Sequence, residues 1–119
     1  MSWKDPRSRK DIVYLLLMMV PMGYTVTYGA LAELCATTPR VVGMYMRQNK
    51  DLVIVPCHRV VSTRGLGGFS RGLEFKRKLL ELEEALDNTR GKPIRVIRSA
   101  NEFWDVVEKN GLQLHIDIN

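Results

Sequence analysis

The segment that decides the fold spans residues 25–49 and reads TVTYGALAELCATTPRVVGMYMRQN. Thr27 is a favourable helix N-cap, and the apolar spacing after it predicts a helix over residues 28–36. Thr38-Pro39 repeats this signal, with proline in the first turn, and predicts a second helix over residues 40–48. Two short helices with so short a connection resemble a helix-turn-helix, whose second helix enters a DNA groove. They also fit two ordinary packed helices, and the pattern alone does not decide between the two interpretations.

Signals on both sides of this segment predict further helices and only short strands. Asp5-Pro6 opens a helix that ends near Met19, and residues 25–27 are β-prone. The spacing of apolar residues predicts another helix over residues 72–87. Its buried stripe is predicted to consist of Leu73, Leu79, Leu80, Leu82 and Leu86.

The composition changes at residues 88–93, which predicts a linker. Three elements follow it: a strand over residues 94–97, a helix from a Ser99–Glu102 capping box to about residue 110, and a half-buried strand over residues 112–118. The predicted fold class is therefore mainly α with small β elements. It comprises a helix-turn-helix, winged-helix-like domain over residues 1–88 and a strand-helix-strand (β-α-β) extension over residues 89–119 that packs on it.

The composition is that of one globular domain with a basic surface. The chain has 119 residues with average apolar and charged fractions, which excludes disorder and disulfide-rich scaffolds. A net charge of +5 favours a polyanionic partner, and nucleic acid is the commonest one. The two cysteines, Cys35 and Cys57, and two histidines are too few for a disulfide framework or a closed zinc site. We therefore expect neither a metal nor a cofactor.

The longest apolar run, residues 12–20, is too short to span a bilayer. Basic residues before it are typical of a secretory signal, but Asp5 and Asp11 stand among them and no small-residue cleavage site follows. We therefore expect an intracellular protein with no membrane partner.

The stretch that carries the most chemistry is Pro56-Cys57-His58-Arg59. A cysteine is a nucleophile only as the thiolate, and a nearby imidazole and positive charge lower the pKa of a thiol. Side chains of adjacent residues rarely point at each other, so His58 would act through a water and be oriented by a carboxylate. A buried structural cysteine is the alternative. Pro56 also argues against a central strand over the apolar residues 51–61.

Residues 56–61, PCHRVV, resemble the active-site signature of the O6-alkylguanine-DNA alkyltransferase family, in the form of its C-terminal catalytic domain. The flanks agree with this resemblance. Residues 27–32 are similar to the segment that opens the family's helix-turn-helix, and residues 40–49 to its recognition helix and asparagine hinge. Residues 65–73 resemble its substrate loop. The resemblance covers roughly residues 8–86 in unbroken order.

The resemblance implies DNA repair by direct, irreversible transfer of an alkyl group, such as methyl, from O6-alkylguanine to the protein's own cysteine. Cys57 is similar to the acceptor, His58 to the water-mediated base, and Glu83 to the carboxylate that orients the imidazole. Tyr28 resembles the tyrosine that donates to N3 of the flipped base. The alternatives are a solvated helix charge for Glu83 and a core tyrosine for Tyr28.

The implied partner is alkylated double-stranded DNA, which the family enters through the minor groove with its base flipped out. The protein would be a monomer in the cytoplasm, nucleoid-associated, or nuclear in a eukaryote. Arg40 resembles the finger that fills the vacated stack, and Arg47 would contact phosphate. Asn49 is expected to brace the turn after the recognition helix, and Arg59 to be structural or to face phosphate. The Val60 carbonyl would accept from the guanine amine, and the Ser70 N–H would donate to O6.

Several positions depart from the family pattern. Because only about seven residues precede the matching helix, we expect the family's usual N-terminal domain to be absent. Phe69 stands where tyrosine is common, and Arg71 replaces a usual glycine, which would narrow entry for bulky alkyl groups. A non-enzymatic, alkyltransferase-like lesion-binding protein is the alternative function, although such proteins typically carry tryptophan or another residue where this chain has Cys57. A helix-turn-helix regulator would leave residues 56–59 and Glu83 unexplained.

Overall fold

The computed structural model of the chain describes residues 6–51, 53–67 and 72–110. The predicted fold class is confirmed, because helices dominate and the sheet has three very short strands. In chain order, the elements are α1 (Pro6–Met18), β1 (Thr25–Thr27), α2 (Tyr28–Leu34), α3 (Pro39–Gln48), a 3-10 helix (Cys57–Arg59), β2 (Val60–Val61), α4 (Leu73–Leu82), β3 (Val96–Ile97) and α5 (Ala100–Asn110). Within these ranges, no helix has the length and apolar content needed to cross a bilayer.

Local capping fixes the α2–α3 pair. The Thr27 hydroxyl accepts from the Ala30 N–H at 3.0 Å, and the Thr38 hydroxyl accepts from the Val41 N–H at 3.3 Å. Between the helices, Ala36 has a left-handed backbone with φ of 52°. That conformation ends α2 shortly before the predicted boundary and turns the chain toward α3.

The sheet is parallel, and β1 is its central strand. Val26 pairs with Val60 of β2 on one side and with Ile97 of β3 on the other. All three residues of β1 are buried. As Pro56 predicts, the segment before β2 is not a central strand: Pro56 precedes the 3-10 helix, and only residues 60–61 join the sheet, at one edge.

The predicted extension contributes to the same core as the helices before it. Phe103 and Val107 of α5 and Ile97 of β3 are buried in the cluster that holds α1, α2 and α3 together. The Ser99–Glu102 capping signal is present, because the Glu102 N–H donates to the Ser99 hydroxyl at 3.1 Å. The strand predicted over residues 112–118 and the Asp5 cap lie outside the described residues.

The helix predicted over residues 72–87 is shorter than expected. It ends at Leu82 because Glu84 is left-handed, with φ of 59°, and the Ala85 N–H closes back on the Leu80 carbonyl. The predicted buried stripe is wrong at Leu73 and at Leu82, which is 81% exposed. Leu73 lies in the first turn beyond the core, and Leu82 lies on the opposite side of the helix from Leu80.

The buried face of α4 instead carries Lys76 and Leu80, both at 0% exposure, one helical turn apart. Leu86 is also buried, as predicted, but it lies beyond the end of the helix.

Candidate active site

One cavity of about 820 Å³ lies between the start of α2, one face of α3 and the 3-10 helix. Four of the site residues predicted from the sequence line it: Tyr28, Arg40, Arg47 and Cys57. Arg40 and Arg47 are exposed at the surface, whereas the thiol is buried. The cavity therefore joins a basic helix face to a buried thiol.

The protein environment acts on the Cys57 thiol in opposite directions. Burial raises the pKa of Cys57, while a hydrogen bond from the Asn49 side chain and the charge of Lys76 lower it. Burial is the larger effect, so the pKa stays above its ordinary value. Cys57 is therefore a thiol at neutral pH and needs a base to become a nucleophile.

A base with an orienting carboxylate lies beside it in the sequence. His58, at 1% exposure, shares a hydrogen bond of 2.8 Å between its Nε2 and the Glu83 Oε2. Among the residues that the structure describes, its buried Nδ1 has no hydrogen-bond partner. Because the ionised Glu83 carboxylate can only accept, Nε2 carries the ring proton, and Nδ1 is the nitrogen of the neutral ring that can accept one.

Glu83 is the centre of an ionic network. Burial alone would raise the pKa of Glu83, but hydrogen bonds and charges from His58 and Arg59 outweigh it and lower the pKa to about 2. Arg59 donates from Nε to Oε1 and from Nη2 to Oε2, each at 2.9 Å, while its Nη1 donates to the Val20 carbonyl at 2.8 Å. The carboxylate is held on both oxygens.

The same contacts bear on the two interpretations of Arg59. Its guanidinium points inward and is shared between a carboxylate and a backbone carbonyl. This placement favours the structural role over phosphate contact.

Asn49 lies directly after α3 and joins that helix to the loop before Cys57. Its Nδ2 donates to the Val55 carbonyl at 2.9 Å, and its Oδ1 accepts from the Asp51 N–H at 2.9 Å. The side chain is buried and makes the hydrogen bonds of a brace across the turn.

The sequence patterns do not identify Lys76, which is part of the site. Its Nζ donates to the Val60 carbonyl at 2.7 Å, and burial lowers its pKa to about 8. Its charge also acts on Cys57. The Val60 carbonyl, expected to receive the guanine amine, thus already accepts one hydrogen bond and keeps a second lone pair. One signal in the sequence could have indicated its burial: Lys76 lies four residues before Leu80, on the face of the helix that was predicted to be buried.

Some expected parts of the site lie outside the described residues, namely Ser70, Phe69 and Arg71. In the ranges given above, no group of three or more His, Cys, Asp or Glu side chains could hold a metal ion.

The low pKa of Glu83 predicts acid-dependent stability. Its folded value of about 2 lies below the ordinary 4.5, so the network stabilises the fold above about pH 5 and its contribution disappears as the pH falls toward 2. We expect Glu83→Gln to lower the free energy of unfolding by about 1.5–3 kcal/mol at pH 6 and to flatten its loss in acid. Chemical denaturation from pH 6 to pH 3 measures this, with the exposed Glu84→Gln as control. An acid loss as steep as in the wild type would contradict the network.

Comparison with known proteins identifies relatives of this site. Residues 8–85 match the family model described as 6-O-methylguanine DNA methyltransferase, DNA binding domain. A methylated-DNA–protein-cysteine methyltransferase of Metallosphaera sedula is 53% identical over 74 residues, which cover 62% of this chain and 47% of the relative. The chain spans about half the length of the curated relatives it matches.

Solved structures of proteins from this group are also similar to this chain. The O6-methylguanine-DNA methyltransferase of Pyrococcus kodakaraensis strain KOD1 has a TM-score of 0.60 and 45% identity, over 62% of this chain and 44% of that one. S. pombe Atl1, in complex with damaged DNA containing O6-carboxymethylguanine, has a TM-score of 0.62 and 25% identity, over 76% of this chain and 89% of that one.

Proposed function

The chain belongs to the family of the 6-O-methylguanine DNA methyltransferase DNA-binding domain, and from this membership we propose that it repairs O6-alkylguanine in DNA by moving the alkyl group onto Cys57. The observation that carries the proposal is the placement of one buried thiol in a cavity under a basic helix, beside the His58–Glu83 pair. Each molecule acts once, because a thioether has no good leaving group and none of the described residues at the site could regenerate the thiol.

The chemistry begins with a base that leaves the stack. The O6 atom of guanine lies inside the duplex, so the nucleotide is flipped into the cavity at a cost of a few kcal/mol. The sulfur of Cys57 attacks the alkyl carbon and forms the S–C bond, while the C–O6 bond breaks and its electron pair stays on the guanine. A hydrogen bond from the Tyr28 hydroxyl to N3 stabilises the charge that develops there.

The proton of the thiol passes through a water to Nδ1 of His58 in this proposal. Glu83 stabilises the imidazolium that forms, as the carboxylate does in a nucleophile–base–carboxylate triad. Lys76 adds a positive charge beside the developing thiolate, which supports its formation at neutral pH.

Double-stranded DNA is the proposed partner, bound by a monomer through the minor groove, with the lesion presented to the cavity from α3. Exposed Arg40 and Arg47 lie on that helix at the cavity. Minor-groove readout is degenerate, which suits a protein that acts in any sequence. The compartment would be that of the DNA, the cytoplasm or the nucleus. From the family resemblance alone, the Ser70 N–H would donate to O6.

Lesion binding without transfer is the second candidate function. Its support is the likeness to S. pombe Atl1, whose structure is a complex with damaged DNA. The match covers 89% of that chain, but only 44% and 47% of the other two relatives described. The presence of Cys57, His58 and Glu83 in one arrangement favours transfer.

The test uses the intact mass of the protein. After incubation with a duplex containing one O6-methylguanine, the protein should gain one methyl mass, and an unmodified duplex should add nothing. Tight binding to the lesion with no gain in mass would replace transfer by lesion recognition.

A further prediction concerns Arg40 at the start of α3. If its side chain fills the vacated stack, it stabilises the flipped state more than the encounter complex. We expect Arg40→Ala to slow single-turnover transfer about tenfold while DNA affinity changes little, because flipping is worth a few kcal/mol. Arg47→Ala should instead weaken DNA binding and leave the transfer rate of bound molecules nearly unchanged. The slope of log affinity against log salt concentration should fall by about one. Equal fractional losses of affinity and rate in Arg40→Ala would contradict the finger role.

A further inference from the structure

We propose that Arg95, in the predicted extension, is a positioning residue for Glu83. Its guanidinium holds the turn that ends α4 and thereby keeps the Glu83 carboxylate on His58. The inference rests on the proposed function, in which that carboxylate supports the base.

The turn after α4 has an unusual backbone. Glu83 is the last residue with helical geometry, and Glu84 follows it with φ of 59°. Residues other than glycine rarely adopt this left-handed conformation, and glycine is the common choice at this place after a helix. The position of Glu83 therefore depends on a turn that its own sequence does not favour.

Arg95 binds this turn from outside α4. Its Nη2 donates to the Glu84 carbonyl at 2.6 Å, and its Nε donates to the Gly23 carbonyl at 3.1 Å. The guanidinium lies 5.9 Å from the centre of the Tyr24 ring, close enough for a cation–π contact. One side chain thus ties the end of α4 to the connection between α1 and β1.

The backbone of Arg95 is itself fixed by the sheet. Its carbonyl accepts from the Thr25 N–H at 2.9 Å, directly beside the pairing of β1 with β3. Gly23, with φ of 94°, lets the three segments approach: a Cβ there would lie 3.3 Å from the Arg95 Nη2 and 3.4 Å from the Glu83 carbonyl. The junction is therefore closely packed around the residue that precedes Glu84.

Two arginines bind the end of α4, Arg59 at Glu83 and Arg95 at Glu84. Arg59 binds the Glu83 carboxylate and the Val20 carbonyl. Arg95 binds the Glu84 carbonyl and the Gly23 carbonyl. Both anchors lie in the same short connection after α1. Without Arg95, the Glu84 carbonyl loses this hydrogen bond, and only the backbone bonds of the turn itself, such as Ala85 N–H to the Leu80 carbonyl, oppose its strain. The last turn of α4 can then open, and the carboxylate can leave His58.

The primary experiment is a double-mutant cycle on the single-turnover rate at saturating DNA, below the unfolding temperature. We expect Arg95→Ala to slow transfer about tenfold, as small misplacements of reacting groups do, with DNA affinity unchanged. In the Glu83→Gln background, Arg95→Ala should slow transfer no further. Lys92→Ala, which removes a charge from an exposed residue of the same segment, is the matched control and should react at the wild-type rate.

A rescue variant separates positioning from general packing. Glycine accepts the left-handed conformation without strain, so Arg95→Ala combined with Glu84→Gly should recover most of the lost rate. A wild-type rate in Arg95→Ala, an equal slowing in the Glu83→Gln background, or no recovery with glycine would each overturn the proposal.

A second measurement does not require transfer. If Arg95 keeps Glu83 in its ionic network, Arg95→Ala should lose less stability than the wild type as the pH falls from 6 to 3. A wild-type protein that transfers no alkyl group refutes the proposed function alone. An Arg95→Ala variant with the acid dependence of the wild type refutes the role of Arg95.

Discussion

The Cys57→Ser variant is expected to form no alkyl adduct while it still binds DNA that contains O6-methylguanine. A serine hydroxyl is far less acidic than a thiol, and its oxygen is a much weaker nucleophile than sulfur toward an alkyl carbon, so transfer is lost. Serine is close in size to cysteine, and the cavity and α3 remain. Transfer should fall below detection, which makes this the largest effect on activity that the structure predicts.

Peptide mapping after reaction of the wild type with excess methylated DNA locates the adduct. The added mass should be on the peptide that contains Cys57, with at most one alkyl group per chain. Cys35 provides the matched control: burial raises its pKa to about 11, so it is an unreactive thiol at the end of α2. Cys35→Ala should keep full stoichiometry. Label on Cys35, or more product than protein, would contradict the mechanism.

The largest effect on stability is expected at Phe103 in α5. Its side chain is at 0% exposure within the main core, and Phe→Ala changes at such sites cost about 3–5 kcal/mol. For a protein of this size, that is a large part of the total free energy of unfolding. We expect Phe103→Ala to be mostly unfolded at physiological temperature.

Trp104 is the matched control, since it is the next residue and also aromatic but 43% exposed. Urea denaturation should show a much smaller loss for Trp104→Ala, about 1 kcal/mol. Similar losses for the two variants would mean that α5 does not belong to the core. In Phe103→Ala, the rate of transfer per folded molecule should stay close to that of the wild type. Its change, expressed as a free energy, should be smaller than the loss in the free energy of unfolding.

Signals that act over a few residues predicted the fold well. Thr27 and Thr38 cap the helices they were expected to cap, because each hydroxyl bonds to an N–H three residues later. Ser99 and Glu102 open α5 in the same way. The end of α4 was predicted wrongly because a left-handed glutamate, and not glycine or proline, ends it. Its stabilising partner is Arg95, distant in the sequence, which no local pattern reports.

The site could be predicted only in part for the same reason. Cys57 and His58 are adjacent, so their motif is visible in the sequence, but the contact with Glu83 spans 25 residues and was inferred from family resemblance alone. Lys76 looks like one more charge on a polar helix until the fold buries it against the Val60 carbonyl. The burial of a charge depends on long-range packing, which periodicity does not encode.

The placement of β1 at the centre of the sheet sets the order in which the protein can fold during synthesis. β1 is synthesised before both of its partners, because Val26 pairs with Val60, 34 residues later, and with Ile97, 71 residues later. Pairings between strands so far apart in the sequence slow folding relative to helical proteins with local contacts. Until residue 97 is synthesised, β1 lacks one of its two partners, and the apolar surface of the helices around it stays exposed. A chain released before that point would be prone to aggregation.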